Sequence, residues 1–205
     1  MAAIIFDFDG TIADSFDYIT GFLAKEAGQS LDAPQAETLR GQSMASIGRG
    51  FGHSWPRLML LFFKGRRQMR RAIDQVKPFD GMPEVIEKLH AEGHELFIVT
   101  SNTVENVHKF LHHYDLHKYF LEVYGGAGLL GKPRYLKKLL KEQNLEKDDA
   151  LYVGDEMRDV TAAESIGLRI IAVTWGFSRP SDLEAMEPTA IAEEPENIIK
   201  ILEEL

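Results

Sequence analysis

Four short runs of apolar residues are spaced along the chain, and polar residues follow each of them. The runs cover residues 2–6, 96–99, 150–153 and 169–173, and residues 121–124 form a weaker fifth run. Continuous apolar runs of this length are typical of strands that are buried on both faces, as in a parallel sheet. The pattern therefore predicts the strands of a buried parallel sheet.

Stretches with helical spacing lie between these runs. In residues 83–91, for example, Val85, Ile86 and Leu89 share one face, and Gly93 follows as a stop signal. Similar patterns cover residues 104–113, 135–143, 161–166 and 197–205. Strands that alternate with helices predict right-handed crossovers and hence a doubly wound, Rossmann-like α/β fold with a parallel sheet.

Residues 16–78 interrupt this alternation. Residues 16–27 and 56–76 have helical patterns, no strand-like run lies between them, and glycines punctuate the connections. We interpret this segment as a small helical cap domain inserted after the first strand. The α/β core domain then consists of residues 1–15 and 79–205. The apolar residues 59–63 are predicted to form the core of the second cap helix.

Composition and charge exclude several functional classes. The chain has 205 residues, no cysteine and a formal net charge of −9. Disulfides, thiolate zinc sites and thiol catalysis are therefore excluded, and a general nucleic-acid binder would need a basic surface. No apolar run approaches the ~20 residues of a membrane helix. We expect a cytoplasmic protein that binds neither nucleic acid nor membranes.

The charge is unevenly distributed. Residues 16–78 carry ten basic and five acidic side chains, so that a basic segment lies within an acidic protein. Part of this segment could attract anionic substrates, although a solvated helix face is the simpler interpretation.

The first strand is followed by two carboxylates, Asp7 and Asp9, and then by Gly10. In an open α/β sheet, ligands bind at the carboxyl ends of the strands. Gly10 supplies a bend immediately after the strand, which would allow both carboxylates to share one site. Clustered carboxylates repel each other unless a cation or a shared proton reduces this repulsion. The alternative is a solvated turn at the end of the strand.

Polar groups also follow the later strands. They are the hydroxyls and amides of Thr100, Ser101 and Asn102, the side chain of Lys132, and the carboxylates of Asp155 and Asp159. Each group has an ordinary interpretation by itself, as a helix cap or a solvated charge. Each group lies at the predicted end of a strand, and their order along the chain indicates one shared site.

Together these motifs resemble those of the haloacid dehalogenase-like hydrolase superfamily, and within it the phosphatases with a helical cap, a group that includes phosphoglycolate phosphatase. Residues 7–11 match the first motif, Thr100 the second, Lys132 the third, and Asp155 with Asp159 the fourth. The resemblance covers nearly the whole chain and includes residues 78–81 and 173–177.

The resemblance implies a mechanism for the first motif. Asp7 would attack phosphorus to form an aspartyl-phosphate, and Asp9 would serve as general acid and then as general base. Mg²⁺ would be held by the Asp7 carboxylate, the Asp9 main-chain carbonyl and Asp155.

The remaining motif residues would bind the phosphoryl group. Thr100 and Lys132 are implied as its main ligands, with Gly10, Ser101 and Asn102 beside them, and Asp159 has a supporting role. We regard Arg40, Gln42, Ser43 and Arg49 as candidates for substrate selection.

The predicted function is a Mg²⁺-dependent phosphatase of small, anionic phosphorylated metabolites. One alternative is a sugar phosphomutase of the β-phosphoglucomutase kind, in which the phosphoryl group passes to a sugar. The other is a non-enzymatic, phospho-accepting signalling domain, although there the phosphorylated aspartate normally follows the third strand.

Overall fold

The computed structural model describes residues 1–42, 44–126 and 131–205. The described residues form eight strands: β1 (Ala3–Phe6), β2 (Ala13–Asp14), β3 (Lys77–Pro78), β4 (Glu95–Val99), β5 (Phe120–Tyr124), β6 (Ala150–Gly154), β7 (Arg169–Val173) and β8 (Ala190–Ala192). Six of them form a parallel sheet in the order β5-β4-β1-β6-β7-β8. The first strand therefore lies near the middle of the sheet, between β4 and β6.

Ten α-helices accompany the strands in the same ranges of the chain: α1 (Phe16–Glu26), α2 (Ala33–Glu37), α3 (Met44–Gly50), α4 (Trp55–Ala72), α5 (Met82–Ala91), α6 (Val104–His113), α7 (Lys132–Glu142), α8 (Met157–Glu164), α9 (Pro180–Glu184) and α10 (Asn197–Glu204). No helix of the described chain is long and apolar enough to cross a membrane.

The two faces of β1 contribute to two separate layers of core. Ile4 and Phe6 pack with residues of α5, α6 and α10, whereas Ala3 and Ile5 pack with residues of α7 and α8. All four side chains are buried. Burial of each large apolar side chain contributes about 1.5–3 kcal/mol, which explains why both faces of this strand are apolar.

The predicted doubly wound α/β fold is confirmed. The five predicted strands are present within a residue or two of their expected bounds, and the predicted helices of the sheet layers are α5, α6, α7, α8 and α10. Strand β8 was not predicted, because it has only three residues and lies at the edge of the sheet.

Helices α1 to α4 follow the first strand and have a small apolar cluster of their own. Its buried members are Phe22, Leu23, Ile47, Leu58 and Leu61. This helical segment is joined to the sheet by a two-stranded antiparallel ribbon, in which β2 pairs with β3. Both connections between the helical segment and the rest of the chain therefore run side by side.

Candidate active site

Three adjacent strands bring the predicted site residues together at one edge of the sheet. Asp7 follows β1, Thr100 follows β4 and Asp155 follows β6, and β1 lies between the other two. All three side chains are buried. The main-chain N–H of Asp7 donates to the carbonyl of Val153 at 2.8 Å, so the strand pairing extends to the first residue of the site.

The turn after β1 depends on Gly10. Its φ is +83°, and a Cβ there would lie 2.3 Å from Asp155 Oδ2 and 2.3 Å from a ring carbon of Phe177. A side chain at this position would therefore displace Asp155. Gly10 was predicted among the phosphate-binding residues, and the structure places it directly against the Asp155 carboxylate.

The ammonium group of Lys132 lies between two carboxylates. It donates to Asp7 Oδ2 at 2.5 Å and also to Asp159 Oδ1. Tyr152 donates its hydroxyl to the same Asp159 oxygen at 3.2 Å. Burial lowers the pKa of Lys132, but the charges of Asp159 and Asp7 outweigh it and raise that pKa. Lys132 is therefore a buried cation and not a solvated surface charge.

The Asp155 carboxylate is fixed by two donors from distant parts of the chain. Thr11 donates its hydroxyl to Oδ1 at 2.8 Å, and the main-chain N–H of Phe177 donates to Oδ2 at 2.8 Å. Burial raises the pKa of Asp155 well above its ordinary value, and the nearby charges of Glu156 and Asp159 act in the same direction.

The three carboxylates can hold a divalent metal ion. One oxygen each of Asp7, Asp155 and Asp159 lies within 4.8 Å of the others. Asp7 Oδ1 is buried and has no hydrogen-bond partner among the described residues. Burial raises the pKa of Asp7 to about 7. Buried carboxylate oxygens, one without a donor, fit a hard cation that prefers oxygen ligands.

Asp9 is held by Asn102, which was predicted to bind phosphate. The Asn102 amide donates to Asp9 Oδ2 at 2.9 Å, and Asn106 donates in turn to Asn102 Oδ1 at 2.9 Å. Thr100 Oγ1 accepts from the main-chain N–H of Asn102 at 2.9 Å. Burial raises the pKa of Asp9. The second motif therefore orients the carboxyl of the first.

Sequence reasoning missed several of these supporting groups. It gave no role to Thr11 or Tyr152, and the Phe177 contact uses a main-chain N–H, which has no signature in the sequence. Arg158, which pairs with Glu156, was also missed. A single basic residue within the acidic stretch at 154–159 is the signal that could have found it.

A cavity lies beside Asp9, between the helical segment and the sheet edge. The centre of a water-sized molecule can occupy about 130 Å³ of it, and the cavity is partly open to solvent. Its walls include residues of α1 and α4 on one side, and Asp9, Ser101 and Asn102 on the other. The predicted Ser101 thus lines the cavity.

The predicted substrate-selecting residues do not line this cavity where the structure describes them. Arg40 donates to the carbonyl of Gly176 at 2.7 Å and lies over the ring of Phe16, and Gln42 and Arg49 are outside the cavity wall. Ser43 lies outside the described residues. Arg40 joins the helical segment to the loop after β7.

Comparisons with known proteins agree with this geometry. A family model described as haloacid dehalogenase-like hydrolase matches residues 4–173. The chain is 33% identical to a phosphoglycolate phosphatase of Synechococcus elongatus, over 100% of this chain and 99% of the relative. It is 27% identical to a 5′-nucleotidase of Pseudomonas aeruginosa, over 91% and 88% of the two chains. A solved structure from Clostridium acetobutylicum, described as a predicted phosphatase, has a TM-score of 0.83 at 21% identity and covers 100% of this chain and 99% of its own.

Proposed function

The chain belongs to the haloacid dehalogenase-like hydrolases, and from this premise we propose that it is a phosphatase of small, anionic phosphorylated metabolites that uses Mg²⁺ and an aspartyl-phosphate on Asp7. One observation carries the proposal. Asp7 has one oxygen paired with Lys132 and the other, Oδ1, buried with no hydrogen-bond partner among the described residues, and one of its oxygens lies within 4.8 Å of an oxygen of Asp155.

Asp7 is the nucleophile in this proposal. Its oxygen forms the new bond to phosphorus while the bond between phosphorus and the ester oxygen breaks, and the electron pair leaves with that oxygen. Water then attacks the same phosphorus and releases phosphate and the free carboxylate. The covalent intermediate divides one difficult hydrolysis into two easier steps. Lys132 holds the carboxylate in place and offsets its negative charge.

Asp9 transfers the proton in both steps. Burial raises the pKa of its carboxyl, which favours the protonated form, and Asn102 holds one carboxyl oxygen in place. Asp9 donates its proton to the leaving oxygen and later removes a proton from the attacking water. A positioned general acid and base of this kind contributes about 10²–10⁴-fold to the rate.

Asp7, Asp155 and the main-chain carbonyl of Asp9 would hold Mg²⁺, which prefers hard oxygen ligands. The ion supplies positive charge that reduces the repulsion between the carboxylates and an anionic substrate. Thr100, Ser101 and Lys132 bind the phosphoryl oxygens, with Gly10 and Asn102 shaping the loops beside them. Asp159 supports Lys132 through their ion pair.

We also propose that the helical segment, residues 16–78, is a cap domain over the core formed by residues 1–15 and 79–205. The separate apolar cluster of the segment supports this division, and two contacts hold the segment against the core. Arg40 and Gly176 join the segment to the loop after β7, and Asn106 of α6 donates to the carbonyl of Arg66 at 3.0 Å. The ribbon of β2 and β3 is the hinge about which the cap opens to exchange substrate and product.

The relatives do not define the leaving group of the substrate. Their names cover compounds as different as phosphoglycolate and 5′-nucleotides. No observation on the described residues favours the sugar phosphomutase or the signalling domain, so the phosphatase alone is proposed.

Phosphate release from a panel of phosphate monoesters tests the proposal. We expect release that requires Mg²⁺ and is absent in Asp7→Asn. Borohydride reduction during turnover should convert residue 7 of the wild type to homoserine, which mass spectrometry detects, because it reduces an acyl phosphate. Release that persists in Asp7→Asn, or no release from any ester, contradicts the proposal.

A further inference from the structure

The cavity beside Asp9 has walls that are mainly apolar. Ile19 and Phe22 line it from α1, and Trp55, Leu58 and Met59 line it from α4. Apolar walls with a few polar groups are typical of sites that bury the body of a ligand and orient it through one polar end. Here the polar end of the cavity is the proposed phosphoryl site.

One face of α4 forms much of this wall. Trp55, Leu58, Met59, Gly65 and Met69 follow helical spacing and all line the cavity. The prediction that residues 59–63 are the core of this helix is wrong in part, because Leu60 is 58% exposed and Phe63 is 65% exposed. Leu61 is buried, and Met59 is half-buried at the cavity wall. The apolar surface of Met59 therefore faces a ligand space.

Charged groups of the lining lie near the proposed reacting centre. Burial lowers the pKa of Arg66, and the charge of the nearby Asp9 carboxylate acts in the opposite direction. Glu156 and Arg158 are paired with each other. The ring of Tyr18 also lines the cavity, and its hydroxyl oxygen is buried with no hydrogen-bond partner within the described ranges. Apolar side chains of α1 and α4 make up most of the rest.

We propose that the leaving group of the substrate carries an apolar body of several carbon atoms, which packs against α1 and α4. This inference rests on the proposed phosphatase function and specifies its substrate class. A two-carbon acid such as glycolate has a single methylene and an extra charge, so it leaves most of this wall without a partner. An alkyl or aromatic alcohol fills the wall and brings its phosphate to Asp7.

A series of linear alkyl phosphates from ethyl to hexyl, compared with 2-phosphoglycolate, tests the inference. Each buried methylene should raise kcat/KM by up to about fourfold until the cavity is filled. We expect hexyl phosphate to exceed ethyl phosphate by at least about tenfold, and to exceed 2-phosphoglycolate. A flat or falling series, or a preference for 2-phosphoglycolate, overturns the inference.

Binding of alkylphosphonates separates this inference from the proposed function. Their carbon–phosphorus bond is not hydrolysed, so calorimetric titration of the intact protein measures affinity without turnover. If affinity rises with chain length and no ester is hydrolysed, the phosphatase proposal fails and the apolar site stands. If affinity does not rise with chain length, the apolar site is refuted, whatever the activity.

Two variants on adjacent positions of α4 provide a matched comparison. Met59→Gln keeps the length of a side chain that lines the cavity and removes its apolar character. Leu60→Gln makes a similar change at an exposed position outside the cavity wall. Met59→Gln should reduce the ratio of kcat/KM for hexyl phosphate to kcat/KM for ethyl phosphate by threefold or more. Leu60→Gln should leave this ratio and kcat/KM for 2-phosphoglycolate unchanged. Equal effects of the two variants contradict the inference.

Discussion

Replacing Lys132 with methionine removes the cation of the site and keeps an apolar side chain of similar length. The ammonium group contacts Asp7 and Asp159, and the three side chains are 4%, 3% and 0% exposed. Removing one partner of a buried ion pair costs about 3–5 kcal/mol, because the remaining charge is left without compensation. Here two carboxylates lose the same partner, which favours the upper part of that range.

The expected loss of stability is large enough to measure by thermal unfolding. For a chain of this length, 1 kcal/mol corresponds to about 2–4 °C, so Lys132→Met should lower Tm by about 6–20 °C in EDTA. The effect should be larger at pH 8 than at pH 5.5. Burial raises the pKa of Asp7 to about 7, and below that pH the carboxyl takes up a proton in place of the lost cation.

Lys138→Met is the matched control. Lys138 lies on the same helix, is 54% exposed, and forms an exposed pair with Glu142 at 3.8 Å. Such pairs contribute about 0–1 kcal/mol, so Tm should change by only a few degrees. Equal Tm values for Lys132→Met and Lys138→Met would refute a stabilising role of the buried ion pairs. Lys132→Met combined with Asp159→Asn should cost less than the sum of the single changes, because the second change removes one unpaired charge.

Four further outcomes are expected. Phosphate release should be abolished in Asp7→Asn and reduced by about 10²–10⁴-fold in Asp9→Asn, with both variants folded by circular dichroism. Phosphatase activity should disappear in EDTA and return when Mg²⁺ is added. Ca²⁺ should inhibit the reaction, because its larger and looser ligand shell displaces the reacting groups. Full activity after exhaustive chelation contradicts the proposed metal site. Burial raises the pKa of Asp7 to about 7, compared with about 4 in an unfolded chain. The native state therefore binds that proton more tightly, and urea midpoints in EDTA should fall as pH rises from 5 to 7; a constant midpoint contradicts this. Replacing the exposed Arg67 and Arg71 together with glutamine should lower kcat/KM at low salt by up to about tenfold and leave kcat unchanged. The decrease in kcat/KM should disappear at high salt. Arg70→Gln is the control, because Arg70 is already paired with Glu105 at 2.9 Å.

The parallel sheet was predictable because its strands are buried on both faces and are therefore continuously apolar. Residues 3–6 and 150–154 are all buried, and short apolar runs bounded by polar residues are typical of such strands. The exception shows the same principle. In β8 all three residues are apolar but two are only half-buried, and a run of three residues is too short to form a distinct pattern.

The charged residues of the site were also predictable, but their partners were not. Each carboxylate or lysine at the end of a strand has an ordinary interpretation by itself, and their order along the chain is what indicates one shared site. The hydroxyl of Thr11 reaches Asp155, 144 residues away, and Phe177 contributes only a main-chain N–H. Contacts of this kind depend on the relative position of two loops, which no local pattern describes. Arg40, Gln42 and Arg49 do not line the cavity, and a polar residue in the helical segment gives no indication of where the cavity lies.

The chemistry and the choice of substrate therefore depend on different physical constraints. At the sheet edge, buried carboxylates must be neutralised, and this restricts which residues can occupy positions such as 7, 132 and 155. The wall formed by α1 and α4 has no comparable restriction, because any apolar side chain of suitable size buries a ligand of matching shape. The charged residues that share the proposed site can be inferred from charge and position along the chain. The leaving group must instead be inferred from which face of α4 lines the cavity, and Met59 and Leu60 show that neighbouring apolar residues on one helix can have different roles.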